Sequence, residues 1–216
     1  MSTIVDRFEK IKSKIAFLKP NKPVEIIAVS KTFSLDYISP LLKHGHLHFG
    51  ENKVQEALAK WSEQKKINQN LKLHMIGKLQ TNKAKDAVGL FDYIHSVDNQ
   101  KLAMALAKHQ KNLNKNLKYF IQVNIGNEIQ KSGIPVNELD AFYNYCVNEI
   151  SLNIIGLMII PPVGDNVIKY FKYISELNKS LTLENLSMGM SADYIEAVKH
   201  GSTYVRVGSS IFGSRS

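Results

Sequence analysis

The stretch VEIIAVSK, residues 24–31, holds a short apolar run from Ile26 to Val29 that is rich in β-branched side chains. Such a run fits a strand buried on both faces, as in a parallel sheet covered by helices. It delivers Ser30 and Lys31 at its carboxyl end, directly before a helix-like segment. A lysine held in the mouth of an α/β fold loses part of its hydration. Its pKa falls, and its amine becomes able to form a Schiff base. From this stretch alone, one more solvated lysine in a lysine-rich chain is the simpler reading, so the remaining sequence has to decide.

Outward from it the same unit recurs. An amphipathic opening (Ile4, Phe8, Ile11, Ile15, Leu18) precedes the run and stops at Lys19-Pro20-Asn21-Lys22-Pro23. After the run, Ser34 is placed to cap a helix through Tyr37, Ile38, Leu41 and Leu42 that Gly45 closes. A second strand is expected over His46–Glu51, with Asn52 capping the next helix in a capping box with Gln55. A third strand, Leu71–Gly77, leads into a helix from about Leu79 to Val88. Tyr93–Val97 is a fourth, with Asp98 as cap of the helix that follows. Lys118–Ile125, Asn153–Ile160, Glu184–Gly189 and Tyr204–Gly208 continue the series, with helical patterns opened by Pro135, through Phe171, and from Ser191 to His200. Eight strands, each followed by a helical pattern, are the count for a closed (β/α)8 barrel of the TIM type, here with an extra N-terminal helix. A doubly wound open sheet is the competing arrangement. The alternation never breaks, so residues 1–216 read as one domain.

The composition is that of a soluble globular chain, 44% hydrophobic and 22% charged. No run approaches the roughly 20 apolar residues that span a bilayer, and the N-terminus lacks a signal-peptide core, so a cytoplasmic protein without a membrane partner is expected. Cys146 is the one cysteine and has no metal-ligand spacing around it. The formal charge of +9 would suit a nucleic-acid binder, yet arginine occurs only at Arg7, Arg206 and Arg215 and the lysines are dispersed. Specific nucleic-acid binding is therefore not expected.

In a closed barrel the working residues sit at the carboxyl ends of the strands, and phosphate is often held after strands seven and eight. Strand eight ends YVRVGSSIFG, where Gly208 allows close backbone approach and the amides of Ser209 and Ser210 begin a helical turn suited to an anion. The turn SMGMSAD offers Ser191 as cap and hydroxyl donor. Arg206 interrupts an apolar strand two residues before Gly208. It could pair with a carboxylate such as Glu51, or face a pyridine nitrogen and keep it unprotonated. Strands one and eight are neighbours in a closed barrel, so Lys31 and Arg206 open into one mouth. An amine for an aldehyde, a guanidinium for a ring nitrogen and two helix starts for a phosphate together describe a site for pyridoxal 5′-phosphate.

These residues are similar to the pyridoxal-phosphate homeostasis family, barrels related to the N-terminal domain of alanine racemase. The motifs are AVSKT (28–32), FGEN-x-VQE (49–56), H-x-IG-x-LQ-x-NK (74–83), SVD (96–98), QVNI (122–125), KSGI (131–134), GLM-x-IPP (156–162), LSMGMS-x-D (186–193) and GST-x-VR-x-G-xx-IFG-x-R (201–215). The resemblance implies a pyridoxal-phosphate-binding barrel of fold type III without the second β-domain. It implies Lys31 as the Schiff-base lysine and Arg206 as the ring-nitrogen partner. Gly208, Ser209, Ser191 and Ser187 form the implied phosphate cradle, with Asn52 and His74 lining the pocket. Asn52 and His74 are also readable as a helix cap and a core histidine. Lys131 matches a family lysine near the phosphate side and is also readable as a solvated loop charge. Lys53 stands where many members carry a tyrosine, and Ser209 where a threonine is usual.

Alanine racemase-like enzymes draw a second acid/base from an additional β-domain, and this chain ends at Ser216, soon after strand eight. The expectation is a monomeric, non-catalytic carrier that stores pyridoxal phosphate and delivers it to apo-enzymes dependent on it. The alternative is a weak pyridoxal-phosphate-dependent amino-acid racemase or decarboxylase.

Overall fold

The computed structural model describes residues 3–128, 130–162 and 164–213. Arg215, the end of the last motif above, lies outside them. Eight parallel strands close on themselves in chain order: β1 (Glu25–Val29), β2 (His48–Glu51), β3 (Lys72–Met75), β4 (Tyr93–Val97), β5 (Lys118–Gln122), β6 (Ile154–Met158), β7 (Asn185–Met190) and β8 (Tyr204–Val207). The closing seam joins β1 to β8 with Glu25 opposite Tyr204 and Ile27 opposite Arg206. The open sheet is thereby excluded, and the barrel with its N-terminal helix stands.

Around the barrel lie α1 (Thr3–Phe17), α2 (Leu35–Lys43), α3 (Val54–Ile67), α4 (Ala84–Leu90), α5 (Gln100–Asn112), α6 (Leu139–Asn144), α7 (Val167–Ser180), α8 (Tyr194–Lys199) and α9 (Ser209–Phe212). In α1 the buried positions are Ile4, Val5, Phe8, Ile11 and Ile15, the amphipathic stripe of the sequence. Among the described residues no helix is long and apolar enough to cross a membrane.

Strand alternation sorts the core into two compartments. Ile26, Ala28, Phe49, Leu73, Val205 and Val207 face outward and pack with the helices in one continuous cluster. Ile27, Tyr93, Phe120, Met158 and Tyr204 face inward and fill the barrel. By the same alternation Val29 and Lys31 continue the inner face of β1, and Arg206 and Gly208 continue that of β8.

Several local expectations are corrected. The second strand begins at His48, not His46. Asn52 does not cap α3; Lys53 stands at that position and no side chain makes the cap bond. The expected helix from Leu79 opens instead as a 3₁₀ turn, Thr81–Lys83, ahead of α4. The α5 cap is Asn99, whose side chain accepts from the Leu102 amide, rather than Asp98. The helix after strand seven starts only at Tyr194, leaving Ser191 outside it. Ser34 does cap α2, accepting from the Tyr37 amide.

Cys146 is fully buried in the helical segment after α6, and burial pushes its thiol up to about 12. A protonated, enclosed thiol is a poor nucleophile. An aromatic disulfide reagent is expected to leave Cys146 unlabelled in native protein and to label it stoichiometrically in denaturant; fast native labelling would contradict this packing.

Candidate functional site

The carboxyl end of β1 is held by an unusual density of polar contacts. Ser30 donates its amide to the Gly50 carbonyl (3.0 Å) and its hydroxyl to Glu51 Oε1 (2.8 Å). Glu51 is fully buried, and the same oxygen accepts from Trp61 Nε1 (2.9 Å) and Lys60 Nζ (2.9 Å). Lys60 also donates to the Ser30 carbonyl (2.8 Å). Thr32, with φ of 70°, is a β-branched residue in the left-handed region, a conformation that persists only where neighbours impose it. Its amide donates to Glu56 Oε1 (2.5 Å). Lys31 thus sits, half-buried, between two residues whose backbone cannot drift. Glu51 belongs to this support and not to Arg206, because it shares the outward alternation of Phe49.

Arg206 is 4% exposed, yet among the described residues its hydrogen bonds go to neutral oxygens. Nη1 donates to the Ser187 carbonyl (2.7 Å) and to Ser187 Oγ (2.6 Å), and Nη2 donates to the Ile159 carbonyl (2.8 Å). Two of the five N–H donors of a guanidinium are not used by these contacts. Burial lowers the Arg206 pKa to about 10, with Asp193 opposing, so the group stays charged at neutral pH. The expected Ser187 therefore orients the guanidinium, and it also accepts or donates at His95 Nδ1 (2.8 Å).

After β8, Gly208 and α9 turn toward the loop that follows β7. Ser191 Oγ accepts from the Gly208 amide (3.3 Å) and from the Ser210 amide (3.3 Å), while the Ser210 hydroxyl donates to the Ser191 carbonyl (3.4 Å). Those amides are arranged around an oxygen, as an anion would require. Ser209 begins α9 and is exposed. A Cβ built on Gly208 would lie 3.4 Å from Val29 Cβ and from the Val29 carbonyl oxygen, an ordinary contact. This places Gly208 beside the end of β1, two residues from Lys31. The protein's own packing does not require a glycine there.

Asn52 extends the inner face of β2, past His48 and Gly50, and its side chain makes no hydrogen bond among the described residues. Its backbone is pinned by Gly77, where an added Cβ would meet the Asn52 carbonyl oxygen at 2.4 Å. His74 is fully buried and hydrogen-bonded on both nitrogens, to His48 Nδ1 (3.0 Å) and His95 Nε2 (3.0 Å). Its ring stacks on Tyr93, and His95 stacks on Phe120. Burial holds both imidazoles well below their usual range, with positive neighbours adding to the effect. Lys131 reaches the Pro161 carbonyl (3.2 Å) and Glu128 (2.5 Å), on the loops after β5 and β6. Lys31, Arg206, Gly208, Ser187 and His74 all follow the inner-facing alternation, with Ser191 and Ser209 beside Gly208.

Sequence reasoning missed His48 and His95. Both did leave a signal: each is a polar residue at an inward position of an otherwise apolar strand. A cleft of about 680 Å³ lined by Lys19, Lys22, Lys179 and His200 lies toward the amino-terminal ends of the strands and contains none of these groups.

The family described as "Alanine racemase, N-terminal domain" matches residues 5–216. A pyridoxal phosphate homeostasis protein from Aquifex aeolicus is 34% identical, spanning 100% of this chain and 96% of its own length. One from Synechocystis is 37% identical over 93% of this chain and 95% of its own. Among solved structures, PipY of Synechococcus elongatus with PLP bound is 35% identical, with a TM-score of 0.86 over 97% of this chain and 100% of that one.

The buried imidazoles make stability depend on pH. His46 is depressed to about 4 by burial, and His48, His74 and His95 are also lowered from 6.5, so the unfolded chain binds more protons below that value. Stability is complete above about pH 6.5 and falls on acidification, by up to about 1.4 kcal/mol per pH unit for each fully buried histidine. Urea unfolding at neutral and mildly acid pH measures this; a flat profile would contradict four imidazoles held neutral by the fold, two of them fully buried.

Proposed function

The chain belongs to the pyridoxal phosphate homeostasis family, and we propose on that footing that it binds pyridoxal 5′-phosphate in the barrel mouth and holds it for intracellular supply rather than turning over an amino acid. The observation that carries the reading is Arg206: a buried guanidinium with two N–H donors that meet no acceptor among the described residues, on the inner face of the strand adjacent to Lys31. The cofactor supplies an aldehyde that a lysine amine captures reversibly, a phosphate, and a ring nitrogen that accepts hydrogen bonds.

In this reading Lys31 supplies the amine, and the Ser30–Glu51–Lys60 contacts fix where it emerges. Arg206 donates to the ring nitrogen and, being charged throughout the physiological range, does not give that nitrogen a proton. The amides of Gly208, Ser209 and Ser210 hold the phosphate with the Ser191 hydroxyl; Ser191 Oγ already marks the point on which the Gly208 and Ser210 amides converge. Asn52, whose side-chain amide is uncommitted, borders the mouth. His74 acts indirectly, since both of its nitrogens are used inside the barrel. In this reading the protein works as a monomer and passes its cargo to apo-enzymes, keeping the free aldehyde scarce. A buried arginine in place of an acid at the ring nitrogen favours holding over carbanion chemistry.

Borohydride reduction of protein mixed with pyridoxal phosphate, followed by peptide mass mapping, is expected to place the pyridoxyl group on Lys31. A label found only on other lysines would remove the central residue of the site. Gly208→Ala is expected to melt within a few degrees of wild type, because the added methyl makes only ordinary contacts, while binding the cofactor about tenfold or more weakly. Unchanged binding by absorbance titration would take the phosphate away from α9. Arg206→Leu is expected to lose about tenfold to a hundredfold in affinity through two forfeited charged hydrogen bonds, whereas Lys53→Ala, at an exposed position, stays near wild type; equal losses would count against the ring-nitrogen assignment.

A further inference from the structure

Arg206 is one end of a chain of polar contacts, hydrogen-bonded as far as His48, that crosses the barrel from mouth to floor. Arg206 Nη1 meets Ser187 Oγ (2.6 Å), which meets His95 Nδ1 (2.8 Å). His95 Nε2 meets His74 Nδ1 (3.0 Å), and His74 Nε2 meets His48 Nδ1 (3.0 Å). Beyond His48 the series closes electrostatically: His48 Nε2 lies 3.3 Å from Glu25 Oε2, an ion-pair separation at the amino-terminal rim. The residues come from β8, β7, β4, β3, β2 and β1, so only the closed barrel assembles them. Ser187, His95 and His74 are fully buried, whereas the Glu25 side chain is 43% exposed and that of His48 is 20% exposed.

The two ends fix the direction of everything between. A guanidinium only donates and an ionised carboxylate only accepts, while a neutral imidazole donates from one nitrogen and accepts at the other. A run of neutral imidazoles between those ends is satisfied in one sense: Ser187 O–H donates to His95, and each histidine carries its proton on Nε2, so that His48 turns an N–H and not a lone pair toward the Glu25 carboxylate. The opposite sense would aim a lone pair of His48 at the Glu25 carboxylate.

We infer that Glu25, His48, His74, His95 and Ser187 are positioning residues for Arg206, a one-way chain that holds the guanidinium in its ligand-binding orientation and transmits protonation of the floor of the barrel to it. Taking up one solvent proton makes His48 a donor on both nitrogens. His74 must then accept from it and His95 must accept from His74, each shifting its own N–H from Nε2 to Nδ1. Ser187 is left accepting from His95 as well as from Arg206, with its own O–H released toward another acceptor. One proton has been gained and none lost, and the Ser187 contact that oriented Arg206 is shared. The groups that set how readily this happens face His48 from all sides: Glu25 and Asp92 favour the proton, Lys72 and Lys118 oppose it, and the His46 and Tyr93 rings lie beside it. Burial lowers His48 further, which confines the response to acid conditions.

The consequence for the cofactor rests on the reading of Arg206 given above, and the test separates the two. Histidine-labelled, cofactor-free protein is followed by long-range proton–nitrogen correlation, which reports each tautomer. At about pH 8 the spectrum is expected to show His48, His74 and His95 all protonated on Nε2; on acidification His74 and His95 exchange together as His48 gains its second proton. Glu25→Gln replaces the carboxylate that faces His48 Nε2 with a neutral amide that also donates, at a half-exposed position where folding is undisturbed, and is expected to populate Nδ1–H forms of His74 and His95 already at neutral pH. Nδ1–H at His74 or His95 in the wild type would overturn the chain whatever the cofactor does. Pyridoxal phosphate affinity is then measured against pH in both proteins, and the difference between their profiles is read because the cofactor's phosphate titrates in the same range. Wild type is expected to lose up to about tenfold more affinity per pH unit than Glu25→Gln below the His48 transition. Superimposable profiles would overturn the coupling to Arg206, while correct tautomers in a protein that binds no cofactor would overturn the proposed function and leave the chain standing.

Discussion

A guanidinium enclosed inside a barrel, without a carboxylate partner among the described residues, is the constraint from which the rest of this structure follows. Burying an ion is costly unless its donors are satisfied, and Arg206 meets that cost with two carbonyls and one hydroxyl. Neutral acceptors satisfy donors without cancelling the charge. The field of Arg206 therefore persists inside the barrel, where it disfavours a proton on His95. It also reaches the mouth, where an acceptor offered to the spare N–H groups would gain a charge-assisted bond. A carboxylate in place of Ser187 would quench both effects.

The same logic divides the barrel's polar residues between two duties. Outward-facing Glu51 collects Ser30, Lys60 and Trp61 into a buried cluster whose charges compensate one another, and its product is a rigid exit point for Lys31. Inward-facing Ser187 and the histidines compensate no charge and transmit orientation. Had Glu51 pointed inward, it would have paired with Arg206 and left the β1 end without its anchor. One residue of register separates the two outcomes.

Much of this was legible from the chain. The strand count emerges from short apolar runs, and Lys31 and Arg206 stand out as cations ending or interrupting them. Closure itself adds that β1 and β8 are neighbours. The misread positions share a cause: a local signal was outranked by a distant partner. Asn52 looks like a helix cap, but the alternation of β2 runs one residue past the strand and turns it inward. Ser191 looks like the cap of α8, yet its hydroxyl serves amides 17 and 19 residues later, in the turn after β8. The Glu51–Arg206 pair could have been rejected from sequence by counting alternation from Phe49 and Val205, both plainly apolar and outward. The histidine series could not have been found, because its members meet only across strands that are distant in the chain.

Three imidazoles are a strange filling for a barrel whose interior usually packs branched aliphatic side chains in layers. Apolar replacements would satisfy the volume, and the aromatic faces of Tyr93 and Phe120 against which His74 and His95 stack would accept them equally well. What they would not supply is an acceptor for the Ser187 hydroxyl, and a Ser187 free to rotate would no longer present its lone pair to Arg206. Each imidazole needs the next to satisfy its second nitrogen, since an unpaired buried nitrogen is itself destabilising. The series can therefore end only where water or a charge is available, which in this fold is the Glu25 rim. Polar filling of the barrel thus follows from the requirement to orient one arginine, and the acid sensitivity of the fold follows from the polar filling.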